Sequence, residues 1–279
     1  MDPIVLEAAR KAEPDRYVAA LLAPADAQPH LIALAAFMGE VACIPARVRE
    51  PMMGELRLQW WRDALANLAS GETGEHPLLP LLGAAITTHR LATPDFLAII
   101  DARSHDLTGE PHADMAALRR HLAAIEGTGF KLATRILGGT LGPPDTDAAG
   151  FAYGLARALG RLPERLHNGG FPIPADALLA AGIAPDALDR RPYDTTTCAG
   201  IEVAALALET EARSALMRAR RAIATLPRRQ RTAFLPLAMV EPYFSEQKRT
   251  EFLRPDQIAD VSPFRRMWQM TRSWMSGRP

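Results

Sequence analysis

The sequence predicts an all-α protein, a helical bundle folded as one domain over residues 1–279. Three observations predict it. Apolar residues recur at steps of three and four along most of the chain, strand-like alternation is hard to find, and helix start and stop residues separate the periodic segments. No stretch is long or polar enough to be a linker, and no internal repeat is present. Segments 70–77 and 182–198 read as surface connections.

In chain order, Asp26 is placed to cap a helix entering Leu31. The apolar window Leu31–Ala46 is interrupted by Glu40, ends near Pro45, and reads as buried core rather than a membrane span. Met53, Leu56, Trp60, Ala64 and Leu68 form the next stripe, and Thr93-Pro94 looks like an N-cap followed by proline at N1. Met115, Leu118, Leu122, Ile125, Gly129, Leu132 and Ile136 predict a helix over about 113–139, stopped by Gly138-Gly139 and Pro143-Pro144. Phe151, Leu155, Leu159, Leu162 and Leu166 continue the pattern up to Gly169-Gly170, Pro172 and Pro174. Ile201, Ala205, Leu208, Ala212, Ala215, Ala219 and Leu226 mark a long helix whose small alanines favour close packing in a core.

Composition narrows the function. Hydrophobic residues at 48% and charged residues at 23% are ordinary for a globular protein, and the formal net charge of zero leaves only local patches to recruit a charged partner. Cys43 and Cys198 form no C-x-x-C pair, which fits a reducing compartment. Glu7, Arg10 and Lys11 in the first turns argue against a secretory signal, so a cytoplasmic setting is expected. Phosphate-loop, G-x-S-x-G and H-E-x-x-H motifs are absent, and no two histidines are four residues apart. Gly127-Thr128-Gly129 lies inside a helical pattern, where glycines allow close helix contact.

Six ordered blocks resemble the squalene/phytoene synthase family. They are Asp15–Pro24, Leu34–Phe37, Gly54–Arg62 with its R-x-x-W-W segment, Asp101–Leu107, Ile136–Gly138 and Ile173–Leu178. The resemblance implies an isoprenoid-synthase type of helical bundle around a central cavity. It also implies two facing aspartate clusters holding Mg²⁺ against a prenyl diphosphate. Here the first cluster is replaced by Met38-Gly39-Glu40-Val41-Ala42-Cys43-Ile44-Pro45-Ala46. Between Gly150 and Gly170 the only acid is Glu164, beside Arg157, Arg161 and Arg165. Ala36-Phe37-Met38-Gly39-Glu40-Val41-Ala42 is most similar to a non-catalytic branch, the mitochondrial complex I assembly factor of this family and its alphaproteobacterial relatives.

That branch implies a pseudoenzyme with no catalytic residues, metal ligands or cofactor. It would serve as a helper binding a protein partner or lipid, cytoplasmic with peripheral contact at the inner membrane. The competing expectation is a prenyl-diphosphate transferase of isoprenoid biosynthesis with atypical ligands, the three arginines replacing metal charge and Mg²⁺ as its cofactor. A vestigial cavity would gather Glu40, Arg57, Trp61, Asp101, His105 and Asp106, with Arg57 as partner of Glu40.

Two segments without acidic residues are candidate contact surfaces. Arg213, Arg218, Arg220, Arg221, Arg228, Arg229 and Arg231 form a candidate patch for an acidic partner or anionic headgroups. Trp268 and Trp274 lie in a basic C-terminal segment that either rests in a membrane interface or docks its tryptophans on the core. The basic residues match no nucleic-acid-binding module, so no nucleic-acid partner is expected.

Overall fold

In the computed structural model, residues 2–48, 50–72, 74–167, 173–184, 187–188, 193–247 and 260–279 are described. Fifteen α-helices and no strand occur among the described residues. Proline opens α1 (Pro3–Ala12), α2 (Pro14–Leu21), α3 (Gln28–Arg47), α4 (Pro51–Ala69), α5 (Leu79–His89) and α6 (Thr93–His105). The fixed φ of proline suits a first helical turn, where its missing N–H leaves no bond unmade.

Helix α3 runs through the core, with Leu31–Gly39 buried without a break. The Phe37 ring packs edge-on against Trp61 of α4 at 5.4 Å and Phe96 of α6 at 5.3 Å. Although α3 is long and apolar enough to cross a membrane, most of it is buried inside the protein. Helix α7 (Met115–Leu122) leads into a π-turn, Ala123–Gly127, and then α8 (Thr128–Ile136). Helix α9 (Pro143–Gly160) continues past Arg161 into α10 (Leu162–His167), and α11 (Ala175–Ala180) precedes α12.

The 29-residue α12 (Thr195–Ile223) buries Ile201, Ala205, Leu208, Ala212, Ala215 and Ala219 and packs against α9. The short α13 (Arg228–Arg231), a 3₁₀ segment (Thr232–Met239), α14 (Val240–Gln247) and α15 (Pro263–Ser276) complete the bundle. One contiguous hydrophobic core joins these elements, α13 excepted.

Four local expectations are corrected. Asp26 does not cap α3, whose N-cap is Ala27, because its carboxylate is bound by Arg229. Thr93 is already helical, and the extended residue before α6 is Ala92. The helix expected over 113–139 is interrupted by the π-turn. On α4 the buried face is Gly54, Leu58, Trp61, Ala64 and Leu65, so Met53, Leu56 and Trp60 are exposed. A Cβ on Gly54 would lie 2.3 Å from the Leu107 side chain, so this glycine selects the face that meets the bundle. The stop read at Gly169-Gly170 and Pro172 lies outside the described residues.

Candidate functional site

The interior polar site begins with a local rule. The Pro14 ring disfavours the α conformation at the residue before it. Glu13 accordingly takes φ −128° and ψ 58°, separates α1 from α2, and is buried. Asp15 and Arg16 follow in the first turns of α2, Tyr153 and Arg157 lie one turn apart on α9, and the π-turn supplies Glu126.

Four of these side chains form a charge-neutral quartet. Arg16 Nη2 donates to Glu126 Oε2 at 2.6 Å, and Arg157 Nη1 donates to Glu13 Oε1 and Oε2 at 2.9 and 3.0 Å. Arg157 Nη1 also lies 3.5 Å from Glu126 Oε1. Arg16 Nε sits 3.3 Å from Glu13 Oε2 but too obliquely to hydrogen-bond, which leaves that N–H without an acceptor. Burial raises the Glu13 carboxyl above its ordinary range against the pull of Arg157. Burial acts the same way on Glu126, but Arg16 and Arg157 outweigh it and hold that carboxyl below the ordinary range.

Beside the quartet, Asp15 gathers three donors from distant parts of the chain. Tyr153 Oη and Tyr243 Oη donate to its Oδ2 at 2.9 and 2.7 Å, and Arg266 Nε donates to Oδ1 at 2.6 Å. Arg266 Nη2 also donates to Asp260 Oδ1 at 2.8 Å. Burial pushes both phenols well above their ordinary range, so they donate as neutral hydroxyls.

Next to Arg16, a pocket lined by Ala20, Leu31, Leu34, Ala133 and Pro236 has a volume of about 20 Å³. That is room for about one water molecule. Glu13 and Glu126 are both engaged by guanidinium groups. Among the described residues, no group of three or more His, Cys, Asp or Glu side chains is placed to hold a metal ion. These residues do not fit the multi-carboxylate site that Mg²⁺-assisted diphosphate chemistry uses.

A second polar cluster was anticipated only in part: the sequence put His105 with Asp106, but nothing in it added His112 and His121. The His105 and His112 rings stack at 4.3 Å, and His121 lies 4.6 Å from His112. His121 Nε2 approaches Asp106 Oδ1 at 3.1 Å, and Arg103 Nη1 donates to Asp106 Oδ2 at 2.8 Å. Burial disfavours the charged form of Asp106, yet the His121 contact and Arg103 prevail and hold its carboxyl well below the usual range. Burial, reinforced by His121 and His105, pushes the His112 imidazole down to about 4.

Acid sensitivity follows from this depressed imidazole. The unfolded chain binds a proton at His112 near pH 6.5 and the folded chain only near 4, so stability is lost as pH falls through that window. The ring is partly exposed, so the loss is about 1–2 kcal/mol after solvent screening. Thermal melts at pH 7.5 and 4.5 are expected to show a smaller acid-induced drop in Tm for His112→Gln than for wild type. Equal drops would remove His112 as the cause.

The residues expected to line one vestigial cavity are not brought together. Glu40 pairs with Arg47 at 3.8 Å, while Arg57 is exposed. Trp61 belongs to the core, and Asp101 accepts from Arg62 Nε at 2.9 Å at the surface. His105 and Asp106 stay together, in the histidine cluster.

The candidate basic patch is also divided. Arg213 Nη1 lies 2.6 Å from Glu209 Oε1, and its Nη2 lies 3.0 Å from Glu241 Oε2. Arg229 pairs with Asp26, Arg220 Nε donates to the Pro279 carbonyl, and Arg231 donates to the carbonyls of Ala224, Leu226 and Gly277. Arg218, Arg221 and Arg228 remain exposed. Of the two tryptophans, Trp268 is exposed and Trp274 lies under the Arg228 guanidinium at 5.2 Å.

The bundle, with its interior polar groups paired to one another, has the isoprenoid-synthase type of fold. The chain belongs to the squalene/phytoene synthase family, whose sequence profile matches residues 9–266. It is 26% identical over 249 residues to NADH dehydrogenase (ubiquinone) complex I, assembly factor 6, of Mus musculus, covering 88% of this chain and 74% of that protein. The Homo sapiens protein of the same name is 24% identical over 253 residues, covering 90% and 75%.

Solved structures share the fold. Squalene synthase HpnC from Alicyclobacillus acidocaldarius superposes with a TM-score of 0.74 at 21% identity, covering 88% of this chain and 92% of that one. A dehydrosqualene synthase in complex with ligand gives 0.80 at 13% identity, covering 98% and 95%.

Proposed function

We propose that the chain is a non-catalytic member of its family, a helper that binds a protein partner during assembly of a respiratory NADH dehydrogenase at a membrane. The observation that carries this reading is the pairing of Glu13, Arg16, Glu126 and Arg157 with one another. Groups suited to gripping a diphosphate or its metal are thereby engaged internally, and the neighbouring pocket has room for about one water rather than a prenyl chain. Two further facts support it. Relatives covering most of the chain are named as complex I assembly factors. On our reading of the sequence, Met38–Ala46 and the Arg157, Arg161 and Arg165 series stand where the family's aspartate clusters would fall.

The test is deletion of the chain's gene in its native host, followed by native-gel analysis of the NADH dehydrogenase. Loss of the assembled complex, restored by re-expression, is expected. Normal assembly without the chain would overturn the helper reading. Purified protein given farnesyl diphosphate and Mg²⁺ is expected to release no diphosphate. Turnover would return the transferase reading to first place.

A further inference from the structure

We propose that the outer face of α15 docks in the interface of a lipid bilayer carrying anionic headgroups. The helix is inverted relative to an ordinary surface helix. Its buried face is Arg266, Met270 and Ser273, while Phe264 is 82% exposed, Trp268 61% and Met275 59%. At about 100° per residue, these three exposed side chains fall within about 40° of arc, with Met267 and Trp274 on the adjoining flank. A helix belonging only to the protein turns its apolar stripe inward. Here the inward side is set by the Arg266–Asp15 ion pair, and that contact forces the aromatic side out.

Charge selects the occupant. No acid occurs between Val261 and Pro279. Arg265 is paired with Glu246 and Arg266 with Asp15 and Asp260, but Arg272 and Arg278 have no acidic partner among the described residues. Arg228 lies across the Trp274 ring, donates to the Trp274 carbonyl and has no acidic partner among the described residues, and Arg221 is exposed on the end of α12 that meets Pro279. Exposed aromatics beside uncompensated arginines match the boundary between acyl chains and anionic headgroups.

The face is also held in place. Ser262 Oγ caps the helix by accepting from Arg265 N at 3.3 Å, Gly277 closes its end at φ 67°, and Arg231 Nη1 donates to the Gly277 carbonyl at 3.1 Å. Little ordering is therefore left to occur on docking. This inference does not depend on the helper reading.

Cosedimentation of the full-length protein with phosphatidylcholine vesicles, with and without phosphatidylglycerol, tests it. The wild type is expected to partition onto the anionic vesicles at least tenfold more strongly than onto neutral ones, with weakening at high salt. Phe264→Ser/Trp268→Ser is expected to lose that binding at least tenfold while keeping the wild-type Tm, since both side chains face solvent. Arg272→Gln/Arg278→Gln is expected to reduce the preference for anionic vesicles. No vesicle binding, equal binding to both compositions, or undiminished binding by the aromatic variant would each overturn the proposal. In the first case, a concentration-dependent dimer abolished by the same variant would assign the face to a second copy.

Discussion

Gly150→Ala is expected to be the most damaging single substitution in the protein. A Cβ at this position would lie 2.2 Å from Gly127 N, 2.6 Å from Gly127 Cα and 2.9 Å from the Glu126 carbonyl carbon. All three are backbone atoms, so no rotamer change relieves the contact. Either α9 moves away from the π-turn or the π-turn unwinds, and both displace Glu126 from Arg16. Overpacking in a core costs about 1–3 kcal/mol where side chains yield, and more is expected where they cannot. At about 2–4 °C of Tm per kcal/mol, a drop of about 10 °C or a failure to accumulate soluble protein should follow.

Two neighbouring glycines calibrate the result. Gly154→Ala meets the Glu126 and Leu122 side chains at 2.9 Å, which can shift, and a smaller loss is expected. Gly142→Ala finds nothing nearer than Pro144 Cδ at 3.7 Å and should be close to neutral. If Gly150→Ala melts with the wild type, α9 and the π-turn are not in this contact.

Asp15→Asn is expected to have the second largest effect, a loss of about 3 kcal/mol. The substitution keeps the shape but removes the charge that answers buried Arg266. It also turns one acceptor into a donor facing Tyr153 and Tyr243 or Arg266. Removing one member of a buried ion pair costs about 3–5 kcal/mol, and Asp260 keeps the loss toward the lower end. Urea unfolding should show the reduced midpoint. In a double-mutant cycle, Asp15→Asn with Arg266→Met should lose clearly less than the sum of the two single variants. Strict additivity would mean that Asp15 and Arg266 do not interact.

The bundle was legible where one face of a helix is apolar and the other is not. Alpha12 shows this: its alanine stripe is the face that meets α9. The π-turn was hidden because Leu122, Ile125 and Gly129 keep steps of three and four straight through it. On α4 the adjacent Trp60 and Trp61 offered two faces of similar apolarity, and only the Gly54–Leu107 contact chooses between them.

The interior site was not read from the sequence, although it left local signals. Glu13-Pro14 announces a helix break, and Glu126 and Arg157 are charged residues inside apolar runs. Those signals mark buried ion pairs without naming their partners. Nothing local relates Asp15 to Tyr153, Tyr243 or Arg266, which lie 138, 228 and 251 residues away. The three histidines are likewise joined only by tertiary packing.

The reach of Asp15 bears on how the chain is finished during synthesis. The ribosome adds about 5–20 residues per second, so Arg266 emerges about 13–50 s after its partner. Through that interval Asp15 lacks Arg266, and burying its carboxylate without that countercharge, with neutral phenols at most, would be unfavourable. The amino-terminal end must therefore stay open to water until the last helix arrives. A nascent chain stalled before α15 should present that end to chaperones and proteases as an unfinished surface.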